Sequence, residues 1–145
     1  MISIINIANS LEQFLRQIPF NTSNIPIILT NVPKTIVNKP TITVIVQDLN
    51  YGDRSIIATA IFCVKHHYLK RCSEIVDYIN NACRYNISIM SCKCLIGLMV
   101  PKITDCIVNE KDGVIQLKLT LFVHLVRLYN EINEEEPEID KTTSI

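Results

Sequence analysis

The chain has 145 residues, of which 48% are hydrophobic and 19% are charged, and its fourteen basic and fourteen acidic side chains give a formal net charge of zero. This length is typical of a single domain and is sufficient to bury a core without disulfides or metals. The balanced charge excludes the dense basic surface of a dedicated nucleic-acid-binding module. Only three glycines occur, and none belongs to a phosphate-binding loop.

Charge is unevenly distributed along the chain. Residues 131–145 contain six acids and one lysine, so this segment carries −5 and residues 1–130 carry +5. A weakly basic body with an acidic end is compatible with work near nucleic acid, and the alternative is a solvated tail that keeps an apolar body soluble. We predict one domain over residues 1–130 and a flexible acidic tail over residues 131–145.

The cysteines and the N-terminus indicate a reducing environment. The first twenty residues lack the charged start and apolar run of a signal peptide, and no apolar stretch reaches the ~20 residues that span a bilayer. We therefore expect synthesis in the cytosol and interpret the cysteines as free, mostly buried thiols. The six are Cys63, Cys72, Cys83, Cys92, Cys94 and Cys106.

The N-terminal third of the chain predicts a helix and a short strand. Apolar residues at helical spacing indicate an amphipathic helix over residues 3–18, which Pro19 ends. A short strand is expected over residues 25–30. Residues 31–40 predict a loop with a brief extended piece at residues 35–37.

The middle of the chain predicts two paired strands and a helix. The β-branched run over residues 41–47 is typical of a strand. Residues 48–53 supply turn chemistry, and residues 55–65 predict a second strand, antiparallel to the first. Residues 68–83 form one apolar stripe with a charged opposite side, as a helix lying on a sheet requires.

The C-terminal half predicts strands only. Two short strands are expected over residues 86–89 and 94–100, with an interruption at Pro101 and an alternating segment over residues 103–109. Asp112 and Gly113 indicate a hairpin turn, because glycine readily adopts positive φ.

The closing segment, residues 114–128, has apolar side chains at its odd positions and mainly polar ones at its even positions. This alternation predicts a long strand with one buried face. The resulting fold class is α+β (α/β two-layer): a mainly antiparallel mixed sheet with one long helix packed on it and an N-terminal amphipathic helix.

A metal site is the sharpest chemical alternative. Cys92 and Cys94 could supply two thiolates, with His66 and His67, or with Cys72 or Cys83, completing a tetrahedral set. Structural zinc sites usually show two Cys-x2–4-Cys knuckles or one knuckle with a paired histidine motif, and neither spacing occurs here. We therefore predict no metal and no cofactor.

A cluster of basic side chains lies where the second long strand meets the helix. Catalysis by a cysteine would need such a cluster beside an accessible thiol, whereas a polar turn that contacts phosphate or an acidic partner is the more economical interpretation. No paired carboxylates are expected in a concave region, so we predict that the chain is not an enzyme. The candidate interface residues are Lys65, His66, His67, Lys70, Arg71, Phe122 and His124.

The order of these elements resembles the tail terminator proteins of tailed bacteriophages and the related tail-completion and neck proteins. The resemblance covers residues 1–128: a strand like Thr41–Gln47, a strand like residues 57–64 that leads into a helix like residues 68–83, and a hairpin like residues 103–128. The second hairpin strand reads D-G-V-I-x-L-x-L-x-L-x-V from Asp112. The cysteines and the acidic tail are not part of this pattern.

The resemblance implies a structural virion protein that is assembled in the host cytoplasm without membrane contact. It would form a homo-oligomeric ring, typically a hexamer, that caps the head-proximal end of the tail tube, stops tube polymerisation and joins the tail to head-completion or neck proteins. A contractile tail would add sheath contacts, and DNA would pass through the lumen without sequence-specific binding. The alternatives are another neck or baseplate adaptor, a small cytosolic protein-interaction module, or a zinc-binding Cys/His module.

Overall fold

A computed structural model describes the fold of residues 2–19, 25–30, 39–52 and 55–126. The predictions of an extended piece at residues 35–37 and of a flexible acidic tail at residues 131–145 lie outside these residues. Residue 128, where the sequence predicts the end of the closing strand, also lies outside them.

In the described part of the chain, two helices and six strands follow one another in the predicted order. They are α1 (Ile4–Arg16), β1 (Ile27–Leu29), β2 (Thr41–Tyr51), β3 (Ile56–Lys65), α2 (Leu69–Ala82), β4 (Ile87–Ser91), β5 (Cys94–Asn109) and β6 (Val114–Leu125). The strands form one mixed sheet of order β1-β2-β3-β6-β5-β4. Among the described strands only the β1–β2 pair is parallel, so the prediction of a mainly antiparallel mixed sheet with helices is confirmed. The helices are nearly equal in length, with 13 and 14 residues.

Helix α1 begins at a capping box. The Ser3 side chain accepts a hydrogen bond from the Asn6 backbone N–H, and the Asn6 side chain accepts one from the Ser3 backbone N–H, which satisfies donors that a helix start otherwise leaves unpaired. The hydroxyl of Ser10 donates to the Asn6 carbonyl oxygen (2.8 Å) and accepts from the Met90 N–H (3.3 Å). One side chain therefore links α1 to β4.

The core lies on the face of the sheet that carries Phe62 of β3 and Leu117 of β6. These residues are cross-strand partners, and Phe62 also lies opposite Val44 of β2. Strands β3 and β6 alternate between buried and more exposed positions, as period-2 side-chain geometry requires. One cluster joins this face to the buried residues of both helices: Ile7, Leu11, Leu15, Cys72, Ile75 and Ile79.

Strand β2 is longer than the sequence predicts. A turn was expected to begin at Asp48, but the strand continues to Tyr51, so this boundary was wrong. The pairing with β3 shifts register between Gln47 and Asn50, and Asp48 adopts a φ of 55°. The residues with turn chemistry therefore form a β-bulge, after which the pairing resumes.

Strand β5 runs through Pro101, so the predicted interruption there was wrong. The Val126 N–H donates to the Ile96 carbonyl oxygen (3.1 Å), which shows that the backbone of Ile96 faces β6. Alternation then directs the backbones of Met99 and Pro101 away from β6. Strand β4 pairs with β5 only as far as Met99. Among the described residues no strand lies beside Pro101 on this side, so the missing N–H of proline interrupts no strand pairing.

Candidate functional site

Five of the predicted interface residues lie together where β3 meets α2. We call this group, which consists of Lys65, His66, His67, Lys70 and Arg71, the basic corner. The turn between β5 and β6 closes against it, because the His66 N–H donates to the Gly113 carbonyl oxygen (3.2 Å). Gly113 has a φ of +63°, so the predicted hairpin with glycine in the left-handed region is confirmed.

The imidazole of His66 takes part in the start of α2. Its Nδ1 atom accepts a hydrogen bond from the Tyr68 N–H (3.2 Å). Burial lowers the pKa of His66, and the nearby His67 and Arg71 lower it further. Both effects favour the neutral imidazole, which can accept this hydrogen bond.

The charge of the basic corner is partly balanced by nearby acids. Arg71 donates to the Glu74 carboxylate (3.2 Å), one turn along the same helix. Both side chains are partly exposed, so this ion pair contributes at most about 1 kcal/mol. Glu110 and Asp112 lie in the neighbouring turn. The corner is therefore a mixed polar surface rather than a concentrated positive patch.

Phe122 and His124 lie farther along β6, on the face of the sheet opposite the core, which we call the outer face. Phe122 lies between Ile57 of β3 and Val100 of β5 in the strand register. It lies eight positions along β6 from Val114, the residue opposite Lys65, which corresponds to roughly 27 Å along a strand. The structure thus divides the seven predicted interface residues between two surfaces.

The outer face includes residues that sequence analysis did not select. Ile57, Phe122 and Val100 form one apolar row across three adjacent strands, and the side chains of Phe122 and Val100 are 37% and 38% exposed. The next row toward the basic corner is polar and consists of Gln47, Thr59, Thr120 and Lys102. Each strand alone shows alternation, but no signal within one strand brings Ile57 and Val100 to Phe122.

The residues of the metal alternative are not brought together. Cys92 and Lys93 form the tight turn between β4 and β5, with φ values of 50° and 68°. This turn lies near the end of β6, whereas His66 contacts Gly113 just before β6 begins. The length of β6, roughly 37 Å, separates the two groups. Within residues 2–19, 25–30, 39–52 and 55–126, no three His, Cys, Asp or Glu side chains are placed to hold a metal ion.

The prediction of mostly buried thiols was wrong for half of the cysteines. Cys72 is buried, and its thiol donates to the Gly113 carbonyl oxygen (3.3 Å). Cys63 and Cys83 are half-buried, and burial raises the pKa of both, that of Cys83 to about 11. The remaining three are exposed because they lie in the β4–β5 turn and in the distal part of β5: Cys92, Cys94 and Cys106.

Three surface grooves lie elsewhere and are lined by uncharged side chains. One of about 400 Å³ lies between α1 and β4, and one of about 440 Å³ lies between the C-terminal ends of the two helices. The third, of about 390 Å³, lies between α1 and the β1–β2 edge. None of the predicted interface residues lines these grooves.

The pKa of His66 predicts a pH-dependent stability. Its folded value is below the ordinary 6.5, so the unfolded chain binds a proton more readily, and stability falls as the pH decreases from 6.5. In His66→Asn, the Oδ1 atom can still accept from Tyr68 but does not titrate. We expect urea midpoints at about pH 7.5 and about pH 5.5 to differ less in this variant than in the wild type. An unchanged difference would contradict the role of His66.

Comparison with known proteins gives no family assignment. The chain matches no protein-family model, and no curated protein matches it at a significant level. Among the described residues, neither helix is long and apolar enough to cross a membrane.

Proposed function

We propose that this chain is a structural virion protein without catalytic activity that resembles a phage tail terminator. In this proposal both helices cover one face of the sheet, in two layers, and the other face is used for assembly. Copies of the chain form a ring at the head-proximal end of the tail tube, stop tube polymerisation and join the tail to the head or neck. The observation that carries the proposal is the apolar row of Ile57, Phe122 and Val100 on the outer face.

This row has the composition of a protein–protein contact. Neighbouring strands lie about 4.8 Å apart, so the three side chains form a continuous apolar strip. The solvent-facing side of an antiparallel sheet normally carries polar residues. An apolar centre beside a polar row, here Thr59, Thr120 and Lys102, is the arrangement found in many interfaces.

A ring requires a contact between two different surfaces of neighbouring copies. Such heterologous contacts close into rings when the rotation between copies is a simple fraction of a turn. The outer face would supply one of the two surfaces. The mechanism is steric: one side of the ring fits the tail tube, with the sheath in a contractile tail, and the other side fits the neck proteins. DNA passes through the lumen without sequence-specific contacts.

The same apolar row also suits two related functions. A neck or baseplate adaptor, or a small cytosolic interaction module, would use it to bind a different protein and would itself remain monomeric. A zinc-binding module has less support, because Cys92 and Cys94 lie near the opposite end of β6 from His66 and His67.

The oligomeric mass tests this proposal. Light scattering after size exclusion should give about 99 kDa for six copies of the 16.5 kDa chain. Phe122→Glu should abolish this ring mass with an unchanged circular dichroism spectrum, because the charge lies on the outer face. Thr120→Glu, in the polar row of the same strand, should leave the ring intact.

Two outcomes would contradict the proposal. The first is a wild-type chain that stays monomeric at high concentration and in the presence of tail tube protein. The second is a Phe122→Glu variant that unfolds, because the side chain would then belong to a second core rather than to an assembly surface.

A further inference from the structure

A second contact surface is inferred at the free edge of the sheet, on β5. This edge is distinct from the outer face, and the inference does not rest on the proposed ring. Strand β4 pairs with β5 only from Cys94 to Met99, whereas β6 pairs with β5 as far as Asn109. Within the described part of the chain, no strand lies beside β5 from Val100 to Asn109. A strand edge of this length presents a row of backbone donors and acceptors to another chain.

The direction of each backbone group follows from the hydrogen bonds of β6. Because the His66 N–H donates to the Gly113 carbonyl oxygen, the N–H and C=O of Val114 point away from β3 and toward β5. Alternation along β6 then places the backbones of Asp105, Ile107 and Asn109, which are the partners of alternate β6 residues, toward β6. The backbones of Cys106 and Val108 point outward, to the free edge.

The two halves of this edge differ in their protection. Natural edge strands avoid unwanted pairing by means of proline, lysine and bulges. The first half has all three: Pro101, Lys102 and the register shift between Ile103 and Asp105. The second half has none of them, and its Ile107 and Val108 are 53% and 50% exposed. Residues 105–109 are therefore the part of the edge that can pair.

We propose that residues 105–109 pair antiparallel with the same residues of a second copy, around a two-fold axis beside Ile107. In this register each outward-facing Cys106 lies opposite Val108 of the other copy, so that their N–H and C=O groups bond reciprocally. Ile107 meets its own counterpart on the outer face. Asp105 lies opposite Asn109, so no like charges meet.

Neighbouring registers are less favourable. An axis beside Cys106 places Asp105 opposite Ile107 and brings the bulge at Thr104 into the pairing. An axis beside Val108 places Glu110 opposite Cys106 and Ile107 opposite Asn109. In the Ile107 register, the turn that ends at Gly113 reaches Pro101 of the second copy. It stops short of Met99, where β4 begins to pair, so β4 does not obstruct the contact.

The register predicts a specific disulfide. Ile107 would form a non-hydrogen-bonded pair with its counterpart, and such pairs bring their side chains closest. In a background with the exposed Cys92, Cys94 and Cys106 changed to serine, Ile107→Cys should convert most of the protein to disulfide-linked dimer under mild oxidation. Asn109→Cys, on the same face of the same strand, should give little dimer because it would face Asp105. Non-reducing electrophoresis measures both.

Three outcomes would overturn the proposal: no dimer from Ile107→Cys, equal dimer from Asn109→Cys, or dimer only after removal of residues 127–145. The last would assign the edge to that segment of the same chain. Adding Phe122→Glu should leave the disulfide-linked dimer unchanged, because Phe122 lies outside residues 105–109. The loss of the ring and the loss of the edge contact are thus measured separately.

Discussion

Phe62→Ala is expected to lower the free energy of unfolding by about 3–5 kcal/mol, the range for removing a large buried aromatic side chain. The Phe62 side chain is 0% exposed and lies in the middle of the sheet, with Val44 and Leu117 opposite it on the two neighbouring strands. The sheet cannot collapse easily around the cavity because both neighbours are held by strand pairing. Urea unfolding followed by circular dichroism measures the loss.

Phe122→Ala is the matched control, since it removes the same side chain from the other face of the same sheet. Phe122 is 37% exposed, so we expect a loss of about 1 kcal/mol or less when both variants are compared as monomers. A domain of this size has a total stability of about 5–15 kcal/mol, so only the Phe62 variant should approach the unfolding threshold. Equal losses would contradict the assignment of the two faces.

The part of the fold that follows from local patterns could be predicted from the sequence. The alternation of residues 114–128 predicted β6 and its buried face, because side-chain direction in a strand depends only on position parity. The helical stripes predicted α1 and α2 to within three residues at each end. Gly113 was predicted as a turn residue because it belongs to an Asp-Gly dipeptide, in which glycine readily adopts positive φ.

The remaining features depend on neighbours that are distant in sequence. Aspartate is a residue type that favours turns, but β2 pairs with β3 again after the bulge, and this pairing keeps Asp48 within the strand. Pro101 continues β5 because β4 has already ended beside it. Cys106 is exposed although its β6 partner Leu117 is buried, because the helices pack mainly on the other strands and leave this part of β5 uncovered. Which strands a helix covers is not encoded in any local pattern.

The candidate surfaces could likewise be predicted only where their residues are close together in the sequence. The basic corner is nearly contiguous in the chain, from Lys65 to Arg71, so its members could be grouped from the sequence. The apolar row is contributed by three strands, and only Phe122 of that row could be selected in advance. Ile57 joins it through the regular β3–β6 register, whereas Val100 lies opposite Phe122 only because the bulge between Ile103 and Asp105 shifts the β5–β6 register by one residue.

Gly113→Ala is expected to lower the free energy of unfolding by about 2–4 kcal/mol, through left-handed backbone strain and the loss of partly buried hydrogen bonds. A Cβ atom at this position would lie 2.6 Å from the carbonyl oxygen of His66. That oxygen belongs to the backbone and cannot rotate away. The Gly113 carbonyl accepts from both the His66 N–H and the Cys72 thiol, so any displacement weakens the contacts between the hairpin turn and the start of α2.

Gly52→Ala is the control for this variant, since Gly52 also lies next to a strand but does not have a left-handed φ. Its Cβ atom would meet Ser55 atoms at 3.1 Å, which a small shift can relieve, and we expect a loss below about 1 kcal/mol. Hydrogen exchange adds a local test: the His66 and Cys72 amides should exchange faster in Gly113→Ala than in Gly52→Ala. If the two variants lose equal stability and exchange alike, the hairpin turn does not stabilise the basic corner. The candidate site would then depend on α2 alone.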